Sequence, residues 1–194
     1  MFLNWKLREL NLKIVYYGPA MSGKTTNLQY IHARTNPKLR GELVSLKTRE
    51  DRTIFFDFLQ LELGQLKGLK PKFNLYTVPG QVAYEATRRL VLQGADGIVF
   101  VADSQMSRLA DNVQAFKTMH RHLQDLGLSP QRVPCVVQFN KRDLPNLAPV
   151  PVLKRLFVPN GTPCFESVAT NGVGVFETLK ATINLVVSQA QQQL

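Results

Sequence analysis

The sequence predicts an α/β protein: six strands in a mostly parallel sheet with helices on both faces, built as one domain over all 194 residues. Three observations carry this reading. Short apolar runs bounded by turn residues alternate with amphipathic stretches along the whole chain, as buried parallel strands alternate with the helices that cover them. A glycine-containing loop joins the first such strand to the first such helix. The composition, 44% hydrophobic and 20% charged, is that of an ordinary folded domain, and a chain of this length hides roughly 70% of its unfolded surface.

Each element has its own signal. Residues 12–17 form an apolar strand, and residues 25–33 an amphipathic helix after the loop. Residues 53–63 and 72–78 are rich in β-formers and are separated by 64–71, a connection suited to a hairpin. Residues 97–103 and 133–140 are short apolar runs of the kind buried parallel strands show. Between them Leu109, Val113, Phe116, Met119 and Leu123 recur at helical spacing. Residues 162–169 supply the last strand, and Val175, Phe176, Leu179, Ile183 and Val186 stripe a final helix.

Several function classes are excluded. No apolar run approaches the ~20 residues of a membrane helix. Lys6, Arg8, Glu9 and Lys13 interrupt any signal peptide, and neither end carries a lipidation motif. Cys135 and Cys164 are too few for a disulfide framework. A cytoplasmic protein without a membrane anchor is expected. The net charge is +10, more than half of it in the first fifty residues. Such a balance suits nucleic acid, an anionic membrane or acidic protein partners, or a phosphate-binding protein with a solvated basic face, and no zinc, helix-turn-helix or basic-aromatic pattern points to nucleic acid. His120 and His122 are two apart, so a helix directs them to different sides. Phe2 and Trp5 are expected to anchor the N-terminal segment by packing rather than to wedge into a membrane.

The loop reads Gly18-Pro-Ala20-Met21-Ser22-Gly23-Lys24-Thr25 and fits G-x4-G-K-T/S, with a strand before it and a helix after it. Glycines let consecutive N–H groups curl inward onto phosphate oxygens, and the helix N-terminus adds its dipole. Lys24 is placed to reach the β- and γ-phosphates, the Thr25 hydroxyl to ligate Mg²⁺, and Thr26 to complete the nucleotide contacts. Asn140-Lys141-Arg142-Asp143 ends the strand 133–140 on the carboxyl edge, where open α/β sheets bind ligands. A carboxylate at Asp143 can accept from N1–H and the 2-amino group of guanine; adenine has neither donor. Asn140 can contact the base edge and tie its loop to the phosphate loop, and the Lys141 stem can lie on the ring. Val168 and Ala169, after Ser167, lie where a backbone N–H could meet guanine O6. The ligand is therefore GTP or GDP.

With these motifs in hand, the chain resembles the Ras-superfamily small GTPases, and more closely the MglA-type bacterial GTPases, over nearly its whole length. The strings that carry the resemblance are Lys13-Ile-Val-Tyr-Tyr-Gly-Pro, Arg52-Thr-Ile-Phe-Phe-Asp-Phe-Leu, Leu75-Tyr-Thr-Val-Pro-Gly-Gln81, Gly97-Ile-Val-Phe-Val-Ala-Asp-Ser and Asn140-Lys-Arg-Asp-Leu-Pro. The resemblance implies a Ras-like P-loop GTPase fold and a nucleotide-driven polarity switch used in gliding motility. It also implies downstream effectors that read the GTP form and an MglB-like activating partner of the Roadblock fold. By that resemblance Gln81, next to Gly80, orients the attacking water. Thr53 contacts Mg²⁺ and the γ-phosphate, Arg52 serves as an arginine finger in cis, and residues 36–53 and 80–93 are the switch segments. A solvated charge cluster is the other reading of Arg52.

Two residues depart from the small-GTPase pattern. Thr77 stands, as a Thr does in the MglA type, where most small GTPases carry an Asp that holds a magnesium-bound water. Mg²⁺ then needs help from elsewhere: Asp57 is a candidate, and a strand Asp satisfied by backbone contacts is the other reading. Ala20 stands at a phosphate-loop position usually held by Gly, and its methyl lies beside the γ-phosphate. These departures keep open a nucleotide-binding scaffold with little hydrolysis. An ATPase reading would instead give the magnesium to Asp103, which otherwise caps the following segment.

Overall fold

The computed structural model describes residues 1–47, 53–81, 84–129, 132–159 and 161–193. In chain order the elements are β1 (Phe2–Asn4), β2 (Glu9–Tyr17), α1 (Lys24–Arg34), β3 (Val44–Lys47), β4 (Thr53–Glu62), β5 (Lys70–Thr77), α2 (Glu85–Leu92), β6 (Gly97–Asp103), α3 (Leu109–Asp125), β7 (Cys135–Asn140), α4 (Val150–Phe157), β8 (Cys164–Glu166) and α5 (Val175–Gln193). The sheet runs β3-β4-β5-β2-β6-β7-β8, with β1 paired to β2. Strands β5, β2, β6, β7 and β8 are mutually parallel, and β3, β4 and β5 pair antiparallel.

The described residues therefore hold eight strands where the sequence suggests six. The additions, β1 and β3, have three and four residues, too short for alternation to register. β1 is hydrogen-bonded along Glu9–Asn11, and β6 takes the same edge of β2 further on, from Ile14 to Tyr17. The last strand is shorter than expected. After Glu166 the chain leaves the ladder, and its next polar groups turn to Asn140. Helices α2 and α4 are also additions. α4 carries a proline in its first turn, which a helix tolerates there but which reads as a breaker in sequence.

Alternate side chains of the central strands feed two cores. Leu10, Leu12, Ile14 and Tyr16 of β2 and Val99 and Val101 of β6 pack under α1 and α5 with Leu28, Ile31, Leu179 and Val186. Val15, Tyr17, Ile98 and Phe100 pack on the other face with Met119, Leu123, Leu153 and Phe157 of α3 and α4. Both faces of β6 are covered, so all seven of its residues are buried. Each large apolar side chain so buried contributes about 1.5–3 kcal/mol, which holds the carboxyl ends of β2, β5, β6 and β7 as one rigid edge.

One expectation about the N-terminus fails. Trp5 is 74% exposed and Phe2 65%, so neither is a packing anchor. Leu3, opposite Leu10 in the ladder, packs against the core instead. The two cysteines are free. Among the described residues no helix is long and apolar enough to cross a membrane.

Candidate functional site

The phosphate loop leaves β2 at Tyr17 and enters α1 at Lys24. Gly23 caps α1 in a left-handed conformation, φ 98°, and a Cβ there would stand 2.1 Å from Asn140 Nδ2. Only glycine allows that approach. Lys24 is 6% exposed and folds back over the loop, donating to the Gly18 carbonyl at 3.1 Å and the Pro19 carbonyl at 2.7 Å. Burial pushes its ammonium down to about 7, with Asp57 pulling the other way. A buried cation that meets mainly carbonyl dipoles suits an anionic ligand, because a phosphate supplies the charge that its burial lacks.

Asp57 is fully buried and lies beside this loop. Its carboxylate accepts from the Thr25 hydroxyl at 2.5 Å and the Thr77 hydroxyl at 2.7 Å, and also from Ser45. Thr77 Oγ1 in turn accepts from the Asp57 N–H at 2.8 Å. Side-chain hydroxyls thus hold the carboxylate, in place of the backbone contacts that were the other reading. An all-oxygen group of one carboxylate and three hydroxyls has the hard donor chemistry that Mg²⁺ takes. Ser45, on the short β3, gives no signal in the sequence. Thr53 begins β4, and Arg52 lies outside the described residues.

Gly80 lies directly against the loop: a Cβ on it would come within 2.3 Å of Ala20 Cα. This contact brings Gln81 beside Ala20. Two arginines that the sequence reading missed fix the pair. Arg88 of α2 donates to the Gln81 carbonyl at 2.6 Å. Arg108, itself paired with Asp111, donates to the Ala20 carbonyl at 2.9 Å. A cavity of about 480 Å³ is lined by Ala20, Met21, Lys24, Thr25, Gly80 and Gln81, among others.

At the other end, a cavity of about 240 Å³ is bounded by Met21, Gly23, Thr26, Asn140, Lys141, Asp143 and Ala169, with others. Asn140 joins the two ends. Its amide donates to the Ser22 carbonyl at 2.8 Å, and its Oδ1 accepts from the Ser167 hydroxyl at 3.1 Å and the Ala169 N–H at 2.9 Å. The Val168 N–H bonds the Val173 carbonyl, and Val168 is not among the residues bounding this cavity. Asp103 is occupied: Lys141 pairs with its Oδ2 at 2.7 Å, and the Gln105 N–H donates to its Oδ1 at 3.1 Å. That is the capping role rather than the magnesium-holding one. His120 turns to the Phe116 carbonyl and His122 to Glu85, so the histidines do not converge. Among the described residues, no group of three or more His, Cys, Asp or Glu side chains could hold a metal.

No family model matches the chain. It is 49% identical over 191 residues to Mutual gliding-motility protein MglA of Myxococcus xanthus (strain DK1622), spanning 98% of both chains. It is 26% identical over 188 residues to Ras-related protein Rab-32C of Dictyostelium discoideum, spanning 95% of this chain and 77% of that protein.

Proposed function

Because the chain belongs to the MglA-type small Ras-like GTPases, we propose that its GTPase cycle drives a cytoplasmic switch for cell polarity and gliding motility. It binds guanine nucleotide and hydrolyses GTP to GDP; a binding-only scaffold is not favoured. The observation that best supports the residue roles is Asn140, which links the base pocket to the phosphate loop through one amide. Asp143 selects guanine. Gly18, Ala20 to Thr26 and Gly80 surround the phosphates, and Lys24 neutralises the β- and γ-oxygens.

Mg²⁺, when bound, draws charge from the phosphate oxygens. The Thr25 and Thr53 hydroxyls would hold it, and the Asp57 carboxylate, bonded to Thr25, would accept a hydrogen bond from its water shell. This would supply what Thr77 lacks as a neutral side chain. Gln81 orients the attacking water through an amide that both accepts and donates. Arg52 supplies the cation that the transferring phosphoryl group needs, a contribution of roughly 10³ to 10⁵ in rate. Gly80 is packed on the Ala20 backbone, and the Ala20 methyl, in place of the usual Gly beside the γ-phosphate, is the feature that keeps intrinsic turnover slow. A Roadblock-fold homodimer of the MglB kind docks on segments 36–53 and 80–93 and holds Arg52 and Gln81 in place.

The test has two parts. Mass spectrometry of the purified protein should find GDP or GTP, and single-turnover decay of bound GTP should be slow alone and faster with the Roadblock partner. Bound GTP that persists unchanged in both conditions would support the scaffold.

A further inference from the structure

At the end of the sheet opposite the nucleotide cleft lies a structure that neither nucleotide binding nor hydrolysis uses. β1 and β2 are joined by Trp5-Lys6-Leu7-Arg8. The turn is held firmly. The Leu7 N–H donates to Asn4 Oδ1 at 3.2 Å, the Arg8 N–H to the Trp5 carbonyl at 3.3 Å, and the Lys70 N–H to the Arg8 carbonyl at 2.7 Å. Arg8 adopts the left-handed conformation, φ 52°, which is strained for a side-chain-bearing residue. Yet this framework presents apolar groups to water: Trp5 is 74% exposed, Phe2 65% and Leu7 56%.

The charges around it that no ion pair occupies have one sign. Lys6 and Arg8 are exposed in the turn, Lys70 is exposed at the start of β5, and Lys67, exposed on the β4–β5 connection, donates to the Gln191 carbonyl at 3.2 Å. The nearby acids are occupied: Glu9 and Glu62 pair with Lys72, and Asp96 with the N-terminal ammonium. Among the described residues no carboxylate pairs with Lys6, Arg8, Lys67 or Lys70.

We propose that this tip is a peripheral docking site for an anionic lipid bilayer, with Trp5 and Leu7 entering the headgroup region and Lys6, Arg8 and Lys70 facing lipid phosphates. A tryptophan with an apolar body and a polar N–H is suited to that boundary. Basic residues near such a surface each account for about fivefold in partitioning. A protein partner is the weaker fit. A stable protein interface needs about 800 Å² from each side, and a four-residue turn offers a wedge rather than a face. A few apolar side chains with a basic cluster give weak, reversible attachment. β2 has nine residues between the tip and the phosphate loop, so the cleft stands roughly 30 Å from the bilayer and remains open to partners.

Trp5 is the single tryptophan of the chain, so its emission reports the tip directly. The full-length GDP-loaded protein is titrated with vesicles of equal parts phosphatidylglycerol and phosphatidylcholine, and with phosphatidylcholine alone. The expected result is a blue shift and quenching by brominated acyl chains on the anionic vesicles only, reversed by high salt. Lys6→Gln with Arg8→Gln should weaken partitioning about 25-fold. Leu7→Ser should lower co-sedimentation, while both variants retain wild-type GDP affinity as proof of folding. Unchanged emission on anionic vesicles, equal binding to neutral ones, or partitioning indifferent to the Lys6/Arg8 change would overturn the proposal. So would a Trp5 shift that follows protein concentration without lipid, which would make a second copy the occupant.

Discussion

Lys24 is a buried cation whose nearest partners are two backbone carbonyls, and its titration follows from that position. Its folded value is about 7 against an ordinary 10.5. Below pH 7 both the folded and unfolded states hold the proton. Between about 7 and 10.5 the unfolded chain holds it and the folded one does not, so the nucleotide-free protein gains stability as pH rises through that window. Phosphate restores the charge. Binding of GDP at pH 8 should therefore take up close to one proton, seen by calorimetry as a binding heat that varies with the ionisation enthalpy of the buffer. A heat independent of buffer would contradict this. Arg52→Ala and Gln81→Leu should each abolish partner-stimulated turnover and leave GTP affinity nearly intact. If Arg52→Ala keeps full stimulation, the finger comes from elsewhere, most simply from the partner. Arg88→Ala removes the donor to the Gln81 carbonyl. A lost charged hydrogen bond of this kind should lower turnover about tenfold with KM unchanged, and Arg88→Lys should recover part of it.

At the scale of elements, segments 36–53 and 80–93, proposed as the switches, should exchange amide hydrogens differently in the GDP and GTP-analogue states. Identical exchange would count against their role as switches. Gly80→Ala drives a Cβ into the Ala20 backbone. It should push the second segment off the loop and erase its nucleotide-dependent exchange, with GDP affinity changed only slightly. Such elements differ in how far the sequence discloses them. β2, β6, β7, α3 and the phosphate loop are legible because their signals are local: apolar runs, helical spacing and a glycine pattern. β1 and β3 are too short to show alternation, and the apolar residues of α2 cluster in its last turn. The Asp57 cluster joins residues from the first helix and three strands. Sequence can nominate Asp57 as a candidate but cannot name Ser45. Arg88 and Arg108 act through backbone carbonyls, and no side-chain pattern records such contacts.

For the whole molecule, the parallel sheet places its two specialised ends apart: nucleotide at the carboxyl edge, an aromatic and basic turn at the amino edge. The central claim concerns the first. Asn140 ties the pocket beside Asp143 to the phosphate loop, so the proposed recognition of guanine by Asp143 would be coupled to the cradle proposed for the phosphates. The direct measurement is displacement of a fluorescent GDP analogue from the purified protein by GTP, GDP and ATP, repeated with Asp143→Ala. GTP and GDP should displace it, and ATP should be weaker by on the order of 10⁴, since a site built around hydrogen bonds rejects the ligand that lacks them. Asp143→Ala should weaken GTP and close most of that gap. Equal displacement by ATP and GTP from the wild-type protein would contradict the account.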